Sequence, residues 1–313
     1  MAARHVLSIS ELGAEVLSSL INRSLEIAAG NLNRIQPLKG KVVGIYFRCS
    51  STRTRTAFTV GANRLGASTI AYGPNDLQVA TGETISDTAK VLSGFLDALV
   101  VRTNRSIEEM RLLASQDRMS VINAMSDSEH PTQAIADLVT LKEEFGRLDD
   151  LHVLYIGEGN NTAAALALAV SLTPGMRLTV VSPTDYGLPN NLLQLARTLA
   201  KQNGATIEEY HCINNLPKQV DAVYATRWQT MGEPKSTPDW LDVFGPYKVT
   251  QEVMSAVSKT SGKTIFMHDL PAVRGSDVDD DVLDGPQSRA FRQAWHKMTS
   301  AMSVLEWCLT VNR

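Results

Sequence analysis

The run Ser51-Thr52-Arg53-Thr54-Arg55 gathers three hydroxyls and two guanidinium groups directly after an apolar segment, residues 41–47 (KVVGIYF). Such a set suits an oxyanion. Hydroxyls donate short hydrogen bonds, and arginine grips a phosphate with paired donors that lysine lacks. If residues 41–47 form a parallel strand, the run lies at its carboxyl end, the usual place for an α/β active site. A helix starting there adds free amide hydrogens and a positive terminus. The same residues would also make a capped helix with solvated arginines, and local chemistry leaves both readings open.

Other candidates are scattered along the chain. Arg102 closes an apolar segment and either adds charge to an anion site or ends a strand in water. His130 and Gln133 bracket Pro131, which suits the first position of a helix; His130 could cap that helix and Gln133 could solvate its first turn. Gln78 reads by itself as an ordinary loop amide. In Gly157-Glu158-Gly159-Asn160-Asn161, either asparagine could cap the helix that follows, and GEGNNT departs from the dinucleotide pattern GxGxxG. Arg227 suits a substrate carboxylate, whereas Trp228 reads as a core aromatic. Asp269, in His268-Asp269-Leu270-Pro271, either holds a turn or meets an ammonium group, since a partly buried carboxylate needs a partner. Arg274 is a second unusual charge nearby.

The elements that must position these residues alternate. Helical periodicity covers residues 11–32, 56–65 and 85–95, interleaved with strand-like segments at 41–47, 68–72, 98–102 and 119–124. A helix opens at Pro131, and residues 145–150 mark a boundary. The pattern then restarts with strands at 152–156, 177–181, 222–225 and 264–267, an alanine-rich helix after Asn161, and a last helix at 289–309. This alternation predicts an α/β fold of two domains, each a parallel sheet flanked by helices. The expected domains are 1–147, completed by a returning C-terminal helix at 288–313, and 148–287.

Composition narrows the function. A chain of 313 residues exceeds the size at which single cores usually divide, which favours two domains. A formal charge of -3 supplies no broad basic field, so nucleic acid is not an expected partner. The apolar segments are too short to span a bilayer, and MAARHVLSIS lacks the apolar stretch of a signal peptide, so no membrane is expected. Three cysteines make neither a disulfide framework nor a thiolate metal site, which fits a reduced, cytoplasmic protein. The histidines form no metal-ligand pattern, and no cofactor is expected.

Taken in order, Ser51–Arg55 (STRTR), His130-Pro131-Thr132-Gln133 and His268-Asp269-Leu270-Pro271 resemble the motifs of the aspartate/ornithine carbamoyltransferase family, and the resemblance extends over nearly the whole chain. It implies transfer of a carbamoyl group from carbamoyl phosphate to an amine of an amino acid, giving a ureido amino acid and phosphate. Ser51, Thr52, Arg53 and Thr54 would hold the phosphate, Arg102 would add charge between phosphate and carbonyl, and His130 and Gln133 would engage the carbamoyl end. His130 would polarise the carbonyl by a hydrogen bond, and Arg55 would support the loop. The resemblance further implies a homotrimer with shared active sites, to which Gln78 would contribute from a neighbouring subunit.

On the acceptor side Asn161, Trp228 and Met231 resemble the ornithine enzymes, Arg227 and Gln229 match acceptor positions of the aspartate enzymes, and Leu270 belongs to the substrate-binding loop motif of the family. Two positions depart from the pattern. Thr226 stands where ornithine enzymes carry the aspartate that binds the amino group, and Asp269 replaces a cysteine or proline. The expectation is a non-standard acceptor pocket in which Asp269 compensates for Thr226 and Arg274 helps fix a carboxylate. The acceptor would have one carboxylate and two amines. 2,3-Diaminopropionate, in specialised metabolism, fits that pattern; ornithine carbamoyl transfer forming citrulline and a catalytically silent anion-binding homologue are the alternatives.

Overall fold

A computed structural model describes residues 3–31, 36–229, 235 and 238–310. It divides into two compact units, residues 1–139 with 295–313, and residues 140–294. The division falls inside two helices, at 139/140 and 294/295, whereas the expected boundaries are 147/148 and 287/288.

The first unit holds α1 (Ile9–Ala28), β1 (Val42–Phe47), α2 (Thr52–Arg64), β2 (Ser68–Tyr72), α3 (Ile85–Leu92), β3 (Ala98–Arg102), α4 (Ile107–Leu113), β4 (Ser120–Asn123) and the start of α5 (Pro131–Phe145). Its sheet is parallel, in the order β2-β1-β3-β4. All five residues of β3 are buried, as the uninterrupted run ALVVR requires of a strand covered on both faces. Tyr46, Leu99, Val101 and Val121 pack with Leu92 and Met110 of the covering helices. The helix expected at 11–32 runs from Ile9 to Ala28 and is interrupted at Gly13, whose φ of 73° is outside helical geometry. The helix expected from residue 56 begins four residues earlier, at Thr52. Its first turn, TRTR, carries no apolar residue, so hydrophobic periodicity could not locate it.

The second unit holds the end of α5, then β5 (His152–Ile156), α6 (Asn161–Ser171), β6 (Arg177–Val181), α7 (Asn190–Asn203), β7 (Thr206–Tyr210), β8 (Ala222–Ala225), α8 (Trp240–Phe244), α9 (Gln251–Val257), β9 (Ile265–His268), α10 (Asp280–Leu283) and the start of α11 (Ala290–Leu309). The sheet is again parallel, ordered β7-β6-β5-β8-β9. Every residue of α6 is buried, and its alanines allow that helix to lie close to its neighbours. Leu154, Ile156, Val223 and Phe266 of the sheet share a core with Met254 and Val257 of α9.

His152 at the start of β5 gives this unit a pH dependence. Burial first, then the nearby Arg177 charge, lower its pKa from 6.5 to about 4, and its Nε2 lies 2.9 Å from Thr179 Oγ1. The unfolded imidazole therefore binds a proton at higher pH than the folded one does. The contribution is full above pH 6.5 and is lost as pH falls towards 4. Glu129 slopes the other way: burial pushes its carboxyl up to about 7, so it costs stability as pH rises from 4.5 to 7. Denaturant unfolding of the parent and His152→Gln between pH 7 and pH 4.5 separates the two. The variant is expected to lose stability less steeply on acidification; equal slopes would contradict the assignment.

Candidate active site

In the first unit, strand register brings the anion candidates to one edge. Phe47, the last residue of β1, pairs with Arg102, the last residue of β3. Five residues beyond Phe47, α2 opens with Ser51 at its N-cap in an extended conformation, and the Ser51 hydroxyl makes no capping bond to the helix. The first turn carries no acidic side chain, so its amides and positive terminus are not neutralised from within the helix. Thr54 is buried, Arg53 is half-buried and Thr52 is exposed. Arg55 turns back, with its guanidinium carbon 5.3 Å from the Phe47 ring centroid.

Arg102 is buried and donates from Nη1 to Ala124 O and to His130 Nε2, each at 3.3 Å. Arginine has no acceptor, so Nε2 accepts and the ring proton lies on Nδ1, beside Thr132 Oγ1 at 3.4 Å. Gln133, also buried, donates from Nε2 to Asp137 Oδ1 at 2.7 Å and accepts from the Lys297 ammonium. Gln78 is exposed in a 3-10 turn, Gln78–Thr81, and accepts from Thr81 Oγ1 at 2.6 Å.

In the second unit three strand ends are level: Ile156 of β5 pairs with Ala225 of β8, which pairs with His268 of β9. The residues that follow each end therefore meet. Asn160 is the α6 cap, accepting from Thr162 N and Ala163 N, and its Nδ2 donates to Thr226 Oγ1 at 3.3 Å. Asn161 is the first helical residue, and it is buried. Asp269 receives two hydroxyls, Thr162 Oγ1 on Oδ2 at 3.0 Å and Thr226 Oγ1 on Oδ1 at 3.3 Å, with its side chain 17% exposed. Leu270 follows at a φ of 53°, ahead of a cis bond to Pro271. Arg227 and Gln229 line a cavity of about 170 Å³ with Trp228, Trp240, Val273 and Asp277. Met231 lies outside the described residues.

Residues 4–143 match the family model "Aspartate/ornithine carbamoyltransferase, carbamoyl-P binding domain", and residues 149–308 match "Aspartate/ornithine carbamoyltransferase, Asp/Orn binding domain". The chain belongs to this family. Among its curated relatives, ornithine carbamoyltransferase of Caldicellulosiruptor saccharolyticus is 37% identical over 305 residues, covering 96% of this chain and 97% of the relative. That of Oceanobacillus iheyensis is 39% identical over 270 residues, covering 86% and 82%. Among solved structures, ornithine carbamoyltransferase from Pyrococcus furiosus superposes with a TM-score of 0.89 at 32% identity, covering 97% of this chain and 96% of that one. The activity is therefore carbamoyl transfer to an amine, giving a ureido product.

In this carbamoyltransferase, burial, then the charges of Arg102 and Lys297, hold the His130 pKa well below 6.5. The imidazole is neutral. Nε2 receives Arg102, so the arginine is the donor between the two. Arg274 departs from expectation. It is exposed and bound by Asp280 and Asp284, with contacts of 2.7 and 2.6 Å from Nη1, so its charge is already answered away from Asp269. Sequence reasoning passed over Lys297. Its signal was present: Gln293, His296, Lys297 and Ser300 are buried polar residues at helical spacing within α11. Among the described residues no cluster of three metal-ligating side chains gathers, and no helix is long and apolar enough to cross a membrane.

Gly159 sets the shape of the acceptor turn. A Cβ there would lie 2.3 Å from the Gly187 carbonyl carbon and the Leu188 nitrogen, both backbone atoms that cannot rotate away. Gly159→Ala is expected to displace the turn bearing Asn161 and raise KM for the amine, with carbamoyl-phosphate binding unchanged. Two-substrate kinetics read this, and an unchanged amine KM would contradict it.

Proposed function

We propose that this carbamoyltransferase acts on the side-chain amine of a diamino acid with one carboxylate, and that ornithine, yielding citrulline, is the acceptor. The observation that carries this reading is end-to-end similarity to proteins named ornithine carbamoyltransferase, through the acceptor half as well as the donor half. Ser51, Thr52, Arg53 and Thr54 hold the phosphate at the α2 terminus. Arg102 stabilises charge developing on the carbamoyl oxygen. Neutral His130 orients that guanidinium, and Gln133, fixed by Asp137 and Lys297, faces the carbamoyl end. The amine nitrogen attacks the carbamoyl carbon as the carbon–oxygen bond to phosphate breaks, and the departing phosphate takes the amine proton. Asn161, Arg227 and Gln229 hold the acceptor carboxylate, Leu270 and Met231 complete its pocket, and Asp269 meets an ammonium group. Gln78, exposed, is assigned to the site of a neighbouring copy in a homotrimer.

A second reading, the shorter 2,3-diaminopropionate, is supported by one contact. Thr226 hands its hydroxyl to Asp269, so the acid expected at position 226 is supplied from β9 instead of β8. A displaced carboxylate meets an amine of different reach. Purified protein incubated with carbamoyl phosphate and ornithine, 2,3-diaminopropionate or aspartate decides between them by phosphate release and the mass gain of one carbamoyl group. The diamine with the higher kcat/KM is the acceptor, and failure of both diamines would sink the reading.

A further inference from the structure

The ammonium of Lys235 is enclosed. Its Nζ lies 4.6 Å from the Tyr186 ring centroid, 5.0 Å from Phe244 and 5.8 Å from Trp240, and 2.5 Å from Glu158 Oε1. The Lys235 side chain is 7% exposed, which separates this pair from an ordinary solvated surface ion pair. The rings form one cluster: Phe244 lies 4.8 Å from Tyr186 and 6.1 Å from Trp240 between centroids. Aromatic faces with a carboxylate are what a desolvated ammonium requires, since the ring quadrupoles and the anion replace its water. Fixing a lysine there costs side-chain entropy and hydration, and this cage offsets both.

The cage joins two segments. Glu158 belongs to the turn between β5 and α6 that bears Asn161, and its backbone oxygen accepts from Tyr155 OH at 3.1 Å. Lys235 belongs to the connection between β8 and α8 that bears Arg227 and Gln229. We propose that Glu158, Tyr186, Trp240 and Phe244 form an ammonium cage whose internal occupant, Lys235, clasps these two segments, making Lys235 a positioning residue for the amine acceptor. It touches no reacting atom and acts through the residues it aligns. The inference rests on the assignment of Asn161 and Gln229 to acceptor binding.

Steady-state kinetics of the full chain with Lys235→Met, Lys235→Arg, Glu158→Gln and Asn161→Ala test it. Loss of the cation–π and ionic contacts in Lys235→Met is expected to raise the acceptor KM about tenfold, with carbamoyl-phosphate KM held within about twofold. Glu158→Gln should show the same split, and Lys235→Arg, which keeps the cation, should stay close to the parent. An unchanged acceptor KM in Lys235→Met, a proportional rise in both KM values, or an arginine variant as impaired as the methionine variant would each overturn the clasp. Asn161→Ala identifies which premise failed. If it raises the acceptor KM, the acceptor assignment stands and only the clasp falls; if it does not, the assignment falls as well.

Discussion

Arg102→Ala is expected to lower kcat for carbamoyl transfer by about 10²–10³-fold, the loss typical of removing one pre-placed donor from a developing oxyanion. Arg102 is buried at the carboxyl end of β3, level with the end of β1 that leads to the Ser51–Thr54 run. Two of its partners, Ala124 O and His130 Nε2, are neutral acceptors that aim the guanidinium. A second readout follows from the charge. Arg102 is the largest electrostatic contribution after burial holding the His130 pKa down, so its removal moves that pKa up towards 6.5. If activity needs neutral His130, the acid limb of kcat/KM shifts to higher pH in the variant. Arg102→Lys keeps the charge and loses the planar fork, and is expected to fall between parent and alanine. A kcat within about twofold of the parent, too small to count as loss of an oxyanion donor, would show that Arg102 merely ends a strand.

Asp269→Asn carries the second large effect. The substitution keeps shape and removes charge; its one oxygen can accept from Thr162 or Thr226, and its amide nitrogen can donate to the other hydroxyl. A hydrogen bond to a charged group contributes about 1.5–3 kcal/mol, so the KM of a diamino acid is expected to rise on the order of 10- to 150-fold. Carbamoyl-phosphate KM should not follow. If Asp269 instead only anchors the hydroxyls, the loss would fall equally on every amine tested. A proportional loss across ornithine, 2,3-diaminopropionate and aspartate would therefore remove Asp269 from substrate recognition.

Particular residues show where reading from sequence succeeds. Buried parallel strands advertise themselves: ALVV in β3 and VLYI in β5 are continuous apolar runs of buried residues. β7 does the opposite. TIEEY lies at the sheet edge with Ile207 alone buried, so its charged residues hide it from pattern reading. The start of α2 was obscured for a related reason: a turn devoted to hydroxyls and guanidinium groups has no apolar periodicity to report.

The donor run was legible because its residues are consecutive and their type dictates anion chemistry wherever they fold. The alternation of elements, the parallel sheets and the order of the motifs are likewise written along the chain. Partnership across it was not. Lys297 reaches Gln133 over 164 positions, and Asp269 meets Thr162 over 107. Arg274, which sequence grouped with Asp269, is drawn away by Asp280 and Asp284. Side-chain type determines which bonds a residue is able to make, while strand register and helix packing determine which partner arrives within about 3 Å, the reach of a hydrogen bond. Only the tertiary structure decided the second.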